Sequence, residues 1–283
     1  MNRSFPAIAL GAALLSISLT SVAQARPWSY STGFESPLYL NTDPVPTIGT
    51  LNGWYREDGS PTATAPPGVS ITNTVASSGS QSMRFLNNSP YDQLDAGSVT
   101  YSISPIRSSM PGTANMVLAG LPFVHIQWDM RVDDPTDIDD TSDTWCLDVY
   151  DGDESDRTLS IARGITNING PNEPNIYGTD LTGAFDPNEL GDAPASGVWG
   201  TYEIDMDYTS GTWTFKLNSV LMGGVRPFAS GADNGLDVNF TVNGRGIDVA
   251  YFDNYSVTAT PEPASLCGLL FGGMMMFRRT RRV

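Results

Sequence analysis

The chain has 283 residues, with 31 acidic against 15 basic side chains and a formal net charge of −16. So acidic a surface excludes nucleic acid and anionic lipid as partners, because phosphate is bound through Lys and Arg. One histidine and two cysteines exclude a zinc site built from His and Cys and leave nucleophile–histidine catalysis dependent on a single residue, His125.

In chain order, Arg3 supplies a positive start, residues 7–19 are almost wholly apolar, and Ala23-Gln24-Ala25 fits a small-x-small cleavage site. Residues 1–25 therefore read as a secretory signal helix, with signal peptidase as its processing partner. Residues 26–259 then form one β-rich domain, large enough to bury its own core. Strands are expected at 29–35, 82–86 and 98–104. In "VHIQWDMRV", Val124, Ile126, Trp128, Met130 and Val132 alternate with His125, Gln127, Asp129 and Arg131, the pattern of a half-buried strand. Further strands are expected at 144–150, 158–163, 238–242 and 248–257. "TYEIDMDY" and "TWTFKLN" alternate in the same way across a "TSG" turn and read as a hairpin. Three stretches read as loops: 41–68, the acidic 133–143, and 164–197, the last with one helical turn at "DPNEL". Many short strands with Gly, Pro and Asn punctuation predict an all-β, antiparallel two-sheet sandwich.

The chain closes on "TPEPASLCGLLFGGMMMFRRTRRV", residues 260–283. The apolar run 264–277 covers about 21 Å as a helix, short of the about 30 Å of a bilayer core. That length suits transient membrane retention, with Arg278, Arg279, Arg281 and Arg282 on the cytoplasmic side. Without both ends, 10 basic and 30 acidic side chains remain, a net charge of −20. One thiol also remains, Cys146, which rules out an internal disulfide. In "TWCLDVY" it reads as a small buried hydrophobe.

Pro261, Glu262 and Pro263, followed by a short apolar helix and arginines, resemble the PEP-CTERM sorting signal of bacteria that produce exopolysaccharide. The resemblance implies processing by an exosortase near the PEP motif, and a cell-surface or matrix destination. "GFESP", "GTLNGWY" and "VASSGSQSMRF", with the later "AYFDNYSV", resemble concanavalin A-like, laminin G-type jelly rolls. Galactose-binding-like jelly rolls share the "FE" start and the "FDN-x-SV" finish but are shorter. "EIDMDY" is similar to the E-x-D-x-x-E signature of family 16 glycoside hydrolases. Its second Glu would fall on Tyr208, so the catalytic roles do not carry over.

Three candidate sites follow. A polar face made of His125, Asp129, Arg131, Glu203, Asp205 and Lys216, with Trp54 on its rim, has the polar groups and aromatic surface that grip a sugar. Glu35 ends the first strand and Asp253 lies on the apolar face of the last, with Val249, Tyr251, Tyr255 and Val257; the jelly-roll resemblance, in which first and last strands are neighbours, implies that they meet around a structural calcium. Asp151, Asp153 and Asp156 in "DGDESD" offer a second oxygen-rich set. The reading is an exported, exosortase-processed, non-catalytic module associated with extracellular polysaccharide. The alternatives are a glycan hydrolase or lyase of the same superfamily and a purely structural matrix protein.

Overall fold

A computed structural model describes residues 26–41, 54–58, 69–86, 99–105, 115–133, 144–150, 157–165, 174–179, 189–229, 236–244 and 249–262. The signal segment, the tail from Pro263 onward and the set Asp151, Asp153 and Asp156 lie outside the described residues, as do the two helices expected to flank the domain. No helix among the described residues is long and apolar enough to cross a membrane.

Fifteen strands account for the described regular structure: β1 (Trp28–Thr32), β2 (Trp54–Asp58), β3 (Val69–Thr72), β4 (Ser82–Leu86), β5 (Val99–Pro105), β6 (Phe123–Asp133), β7 (Thr144–Tyr150), β8 (Arg157–Ile165), β9 (Pro174–Thr179), β10 (Glu189–Asp192), β11 (Gly200–Asp207), β12 (Thr212–Leu217), β13 (Val220–Pro227), β14 (Asp237–Gly244) and β15 (Val249–Thr260). They form two antiparallel sheets. The first runs β13-β12-β11-β6-β15-β4-β3, with β1 also paired to β15; the second runs β10-β9-β8-β7-β14-β5-β2. The two-sheet expectation holds. β2, β9 and β10 lie in stretches expected to be loops, and at Glu189 and Leu190 strand β10 replaces the end of the expected helical turn.

The inward faces carry the alternation read from the sequence. Val124, Ile126, Trp128, Met130 and Val132 of β6 are buried, as are Tyr202, Ile204 and Met206 of β11 and Trp213, Phe215 and Leu217 of β12. Aromatic contacts join the sheets. Trp54 of β2 lies 6.0 Å from Phe240 of β14 and meets Tyr255 of β15 edge-on at 5.4 Å, while Phe240 lies 4.5 Å from Phe252. Each such pair adds about 0.5–1.5 kcal/mol beyond the area it buries. Trp54 is 0% exposed, and its indole Nε1 donates to the Tyr30 hydroxyl at 3.0 Å. It is a core residue, which corrects its expected place on a binding rim. At Gly178 of β9 the sheets approach so closely that a Cβ would stand 2.7 Å from the Trp213 ring.

The central strand β15 departs from simple alternation. Asp253 pairs with Asp129, yet Ser256 pairs with Gln127, so one extra residue forms a bulge. Asn254 there has φ 50°. Ala250 and Phe252 face the core before the bulge, and Tyr255, Val257 and Ala259 face it afterwards. Asp253 therefore does not share the core face with Tyr255, as unbroken alternation implies; it shares the outward side with Asp129, under the segment 77–81.

Three carboxylates hold that segment. Asp253 accepts from the backbone N–H groups of Ser77 and Ser78 through Oδ2 (2.9 and 3.1 Å) and from Asn254 N–H through Oδ1 (2.8 Å). Asp129 accepts from the Ser77 hydroxyl (2.6 Å), Asn254 Nδ2 (2.7 Å) and the Thr201 hydroxyl (2.7 Å). Glu35 accepts from Ser80 N–H, the Ser80 hydroxyl and Gln81 N–H (2.8, 2.8 and 3.0 Å). Gly79, at φ +63°, lets Glu35 approach; a Cβ there would overlap its carboxylate.

Glu35 and Asp253 thus meet at one segment, as expected, but around N–H and O–H donors. Calcium takes six to eight oxygens, and these oxygens already accept hydrogen bonds. Among the described residues no three Asp, Glu, His or Cys side chains converge. In place of a cation, backbone amides and hydroxyls engage these carboxylates, and no metal site is seen among the described residues.

Burial pushes the Asp253 carboxyl up to about 6, against its backbone hydrogen bonds. A raised acid binds its proton more tightly folded than unfolded, so its contribution is full below about pH 4 and is lost as pH rises through about 6. Relative to Asp253→Asn, the unmodified chain is expected to gain about 2–3 kcal/mol as pH falls from 7 to 4. Asp253→Ala is expected to cost about 2–3 kcal/mol and the more exposed Glu35→Ala about 1 kcal/mol, by leaving amides unpaired. Denaturant unfolding across pH, repeated in EDTA, checks both; the losses are expected to persist in EDTA.

Candidate functional site

The outward face of the first sheet presents a polar row. Antiparallel register places His125 of β6 beside Asp205 of β11 and Thr258 of β15, with Thr214 of β12 beyond Asp205. The neighbouring row runs Ser256, Gln127, Glu203, Lys216. Strand alternation alone puts these side chains on one face, and the structure brings His125, Glu203, Asp205 and Lys216 together as the sequence implied.

Asp205 is the centre of this group. His125 Nδ1–H donates to its Oδ1 at 2.7 Å and Lys216 Nζ to its Oδ2 at 2.6 Å. The His125 hydrogen bond, with Lys216 behind it, holds Asp205 down at about 2. Reciprocally, Asp205 raises His125 and Lys216 above their ordinary values. All three side chains are about one-third to two-fifths exposed. Glu203 accepts from the Ser219 hydroxyl at 3.2 Å.

Retaining glycoside hydrolysis needs one carboxyl held protonated near neutrality, about 5 Å from a second. Asp205 is pushed the opposite way, and Asp207 closes the β11–β12 turn by accepting from Thr209 N–H and the Ser210 hydroxyl at 2.8 Å each. The row is equipped to donate and accept hydrogen bonds.

Two expected members stand apart. Asp129 lies on the outward side but is 7% exposed, covered by segment 77–81 and engaged there. It is a structural residue, which corrects its place in a binding row. Arg131 makes a two-pronged contact with Asp133 (2.6 and 2.9 Å) and lies 6.0 Å from the Tyr251 ring centre, one end of the face away from Asp205. Of the sorting residues, Pro261 and Glu262 are described. Glu262 accepts from the Thr209 hydroxyl at 3.2 Å, directly after β15 ends.

Sequence reading missed a second polar face. On the second sheet Ser160, Asp148 and Asn239 form a row across β8, β7 and β14, all buried, and buried Thr158 stands two residues before Ser160. Cys146, Ala162 and Tyr177 form a small apolar cluster on the same face, outside the main core. The alternation of "WCLDV" and "DVNF" was the available signal, with Trp145, Leu147, Val149, Val238 and Phe240 inward. That the outward side is also covered was not readable.

The lone histidine makes the first row measurable. His125 is expected to titrate above its ordinary 6.5 in an NMR pH series, and Asp205→Asn to return it toward that value. The His125 contribution to stability is present below 6.5 and fades as pH rises through its folded value; that of Asp205 is present above 3.8 and fades as pH falls through about 2. At this exposure the pairing is worth about 0.2–1 kcal/mol, which limits the loss expected for Asp205→Ala in denaturant unfolding.

No family model matches the chain, and no characterised protein matches it by sequence. Among solved structures it is similar to peanut lectin with a nine-residue peptide, at TM-score 0.52 and 11% identity over 83% of this chain and 98% of that one. It is similar to basic winged bean lectin with Tn-antigen, at TM-score 0.50 and 8% identity over 83% and 99%. A sialidase matches at TM-score 0.47 and 8% identity over 79% of this chain, which spans 19% of that enzyme's length. At these identities the two lectins show the fold: this chain is a lectin-like jelly roll of two antiparallel sheets.

Proposed function

We propose that the chain is an exported, non-catalytic module that associates with polysaccharide at the cell surface or in the extracellular matrix. The observation that carries the reading is the open row of His125, Gln127, Glu203, Asp205 and Lys216 on one sheet of a sandwich whose structural neighbours are lectins. The row mixes donors and acceptors, as the hydroxyls of a sugar chain require. Its charges are largely paired within the row, which favours a neutral ligand held by hydrogen bonds. Export rests on the signal-like residues 1–25, and exosortase processing on Pro261, Glu262 and Pro263 with the arginines behind them.

Binding is tested with the host's own exopolysaccharide. Asp205→Ala is expected to weaken it about tenfold, the loss of roughly one charged hydrogen-bonding group, while retaining the fold by circular dichroism. Raising salt is expected to change affinity little, because no counterions are released from a neutral chain. Unchanged affinity in Asp205→Ala would move the contact off this row. Processing is tested by mass spectrometry of the surface fraction, which is expected to lack peptides before about Arg26 and after about Pro263; intact peptides spanning Met274 to Met276 would refute it.

A further inference from the structure

Alternation puts Phe123, the first residue of β6, on the same outward face as His125. Register sets it between Thr260 of β15 and Asp207 of β11, one row along from Thr258, His125 and Asp205. Side chains that share a face of one strand stand about 7 Å apart. Phe123 is half-buried, whereas every other aromatic side chain of β6, β11, β12 and β15 is buried. It also stands outside the hydrophobic core and the partly buried side chains packed against that core. Just beyond it, Glu262 accepts from the Thr209 hydroxyl at 3.2 Å, a bridge between the strands on either side of β6 that bounds the row at that end. A scattered apolar side chain on a surface is ordinary. A flat aromatic in register with the paired His125, Asp205 and Lys216 is the combination that grips a sugar, apolar area beside a few placed polar groups.

We propose that Phe123 is the stacking surface of the polysaccharide site and fixes the place of one neutral pyranose residue. The C–H bonds of one sugar face carry partial positive charge and lie on the negative face of the phenyl ring. Hydroxyls at the rim of the same residue then reach the row one step along the strand. His125 Nδ1 is committed to Asp205 at 2.7 Å, so Nε2 is the nitrogen that meets a hydroxyl, and the Asp205 carboxylate accepts from the next one. The platform is open to solvent, as a ligand that is one residue within a long chain requires. The inference rests on the polysaccharide reading above and adds the residue that supplies the apolar contact, since Trp54, expected in that role, is core.

The full chain, Phe123→Leu, Phe123→Trp and Asp205→Ala are titrated calorimetrically with the host exopolysaccharide and melted without it. Phe123→Leu keeps an apolar side chain but removes the ring. It is expected to weaken binding about tenfold with little change in melting temperature. Phe123→Trp is expected to bind at least as tightly. Its tryptophan fluorescence, read against the unmodified chain, is expected to shift to the blue on saturation, as an indole leaving water does; that readout does not depend on the stability of the leucine variant. Undiminished affinity in Phe123→Leu, with Asp205→Ala weakened, overturns the stacking surface and leaves the polar row. Unmoved fluorescence in saturated Phe123→Trp overturns it as well. Failure of the unmodified chain to bind the exopolysaccharide overturns the polysaccharide reading and the stacking surface together.

Discussion

A single extra residue in β15, between Asp253 and Ser256, sets the side on which each flanking residue of the central strand lies. Phe252 and Tyr255 both reach the core because of it, three positions apart where alternation allows two or four. Tyr255 then meets Trp54 and Phe240 across the sandwich at 5.4 and 5.3 Å. On the other side the bulge leaves Asp253 and Asn254 turned to segment 77–81. Asn254 contributes twice: its Nδ2 donates to Asp129, and its Oδ1 accepts from the Ser78 hydroxyl at 2.7 Å. One backbone irregularity thus serves both the packing of the two sheets and the fastening of a surface segment.

The fastening explains how an acidic domain without a disulfide within its described part secures an irregular stretch. Backbone N–H groups in a loop need acceptors, and carboxylates are the strongest available. Asp253 of β15 and Glu35, just after β1, supply them, and Asp129 of β6 holds the Ser77 hydroxyl, so the first sheet and segment 77–81 form one hydrogen-bonded unit. Acidity here is a structural resource, and part of the charge that looks like a hydrated surface in composition is spent inside. Desolvation raises Asp253, and the nearby Asp129 adds to that cost; the amide donors are what make a buried carboxylate tolerable at all.

The two outward faces use polar groups in opposite ways. On the first sheet, Asp205 is partly exposed and paired with His125 and Lys216, so the row is locally balanced and open. On the second, polar side chains are enclosed, and the Asn239 and Thr158 oxygens are left without partners among the described residues. The same sandwich core supports both, because inward residues alone determine its packing.

The sequence by itself determined the fold class and the faces of β6, β11 and β12. A period of two needs only the order of residues, so spacing alone places His125, Glu203, Asp205 and Lys216 on one side. It also pointed to Glu35 and Asp253 as neighbours. Tertiary structure decided what those residues touch. Trp54, in a stretch rich in turn residues, is core because Phe240 and Tyr255 flank it from two sheets. Asp129 is covered because a segment about fifty residues upstream in the chain folds over it. Asp253 changes sides because a bulge interrupts the alternation. The second polar face is legible as alternation in β7 and β14 but not as a buried one, since burial of an outward face depends on what the rest of the chain lays over it. Local periodicity fixes the direction of a side chain; only long-range packing fixes its surroundings, and chemistry follows from the surroundings.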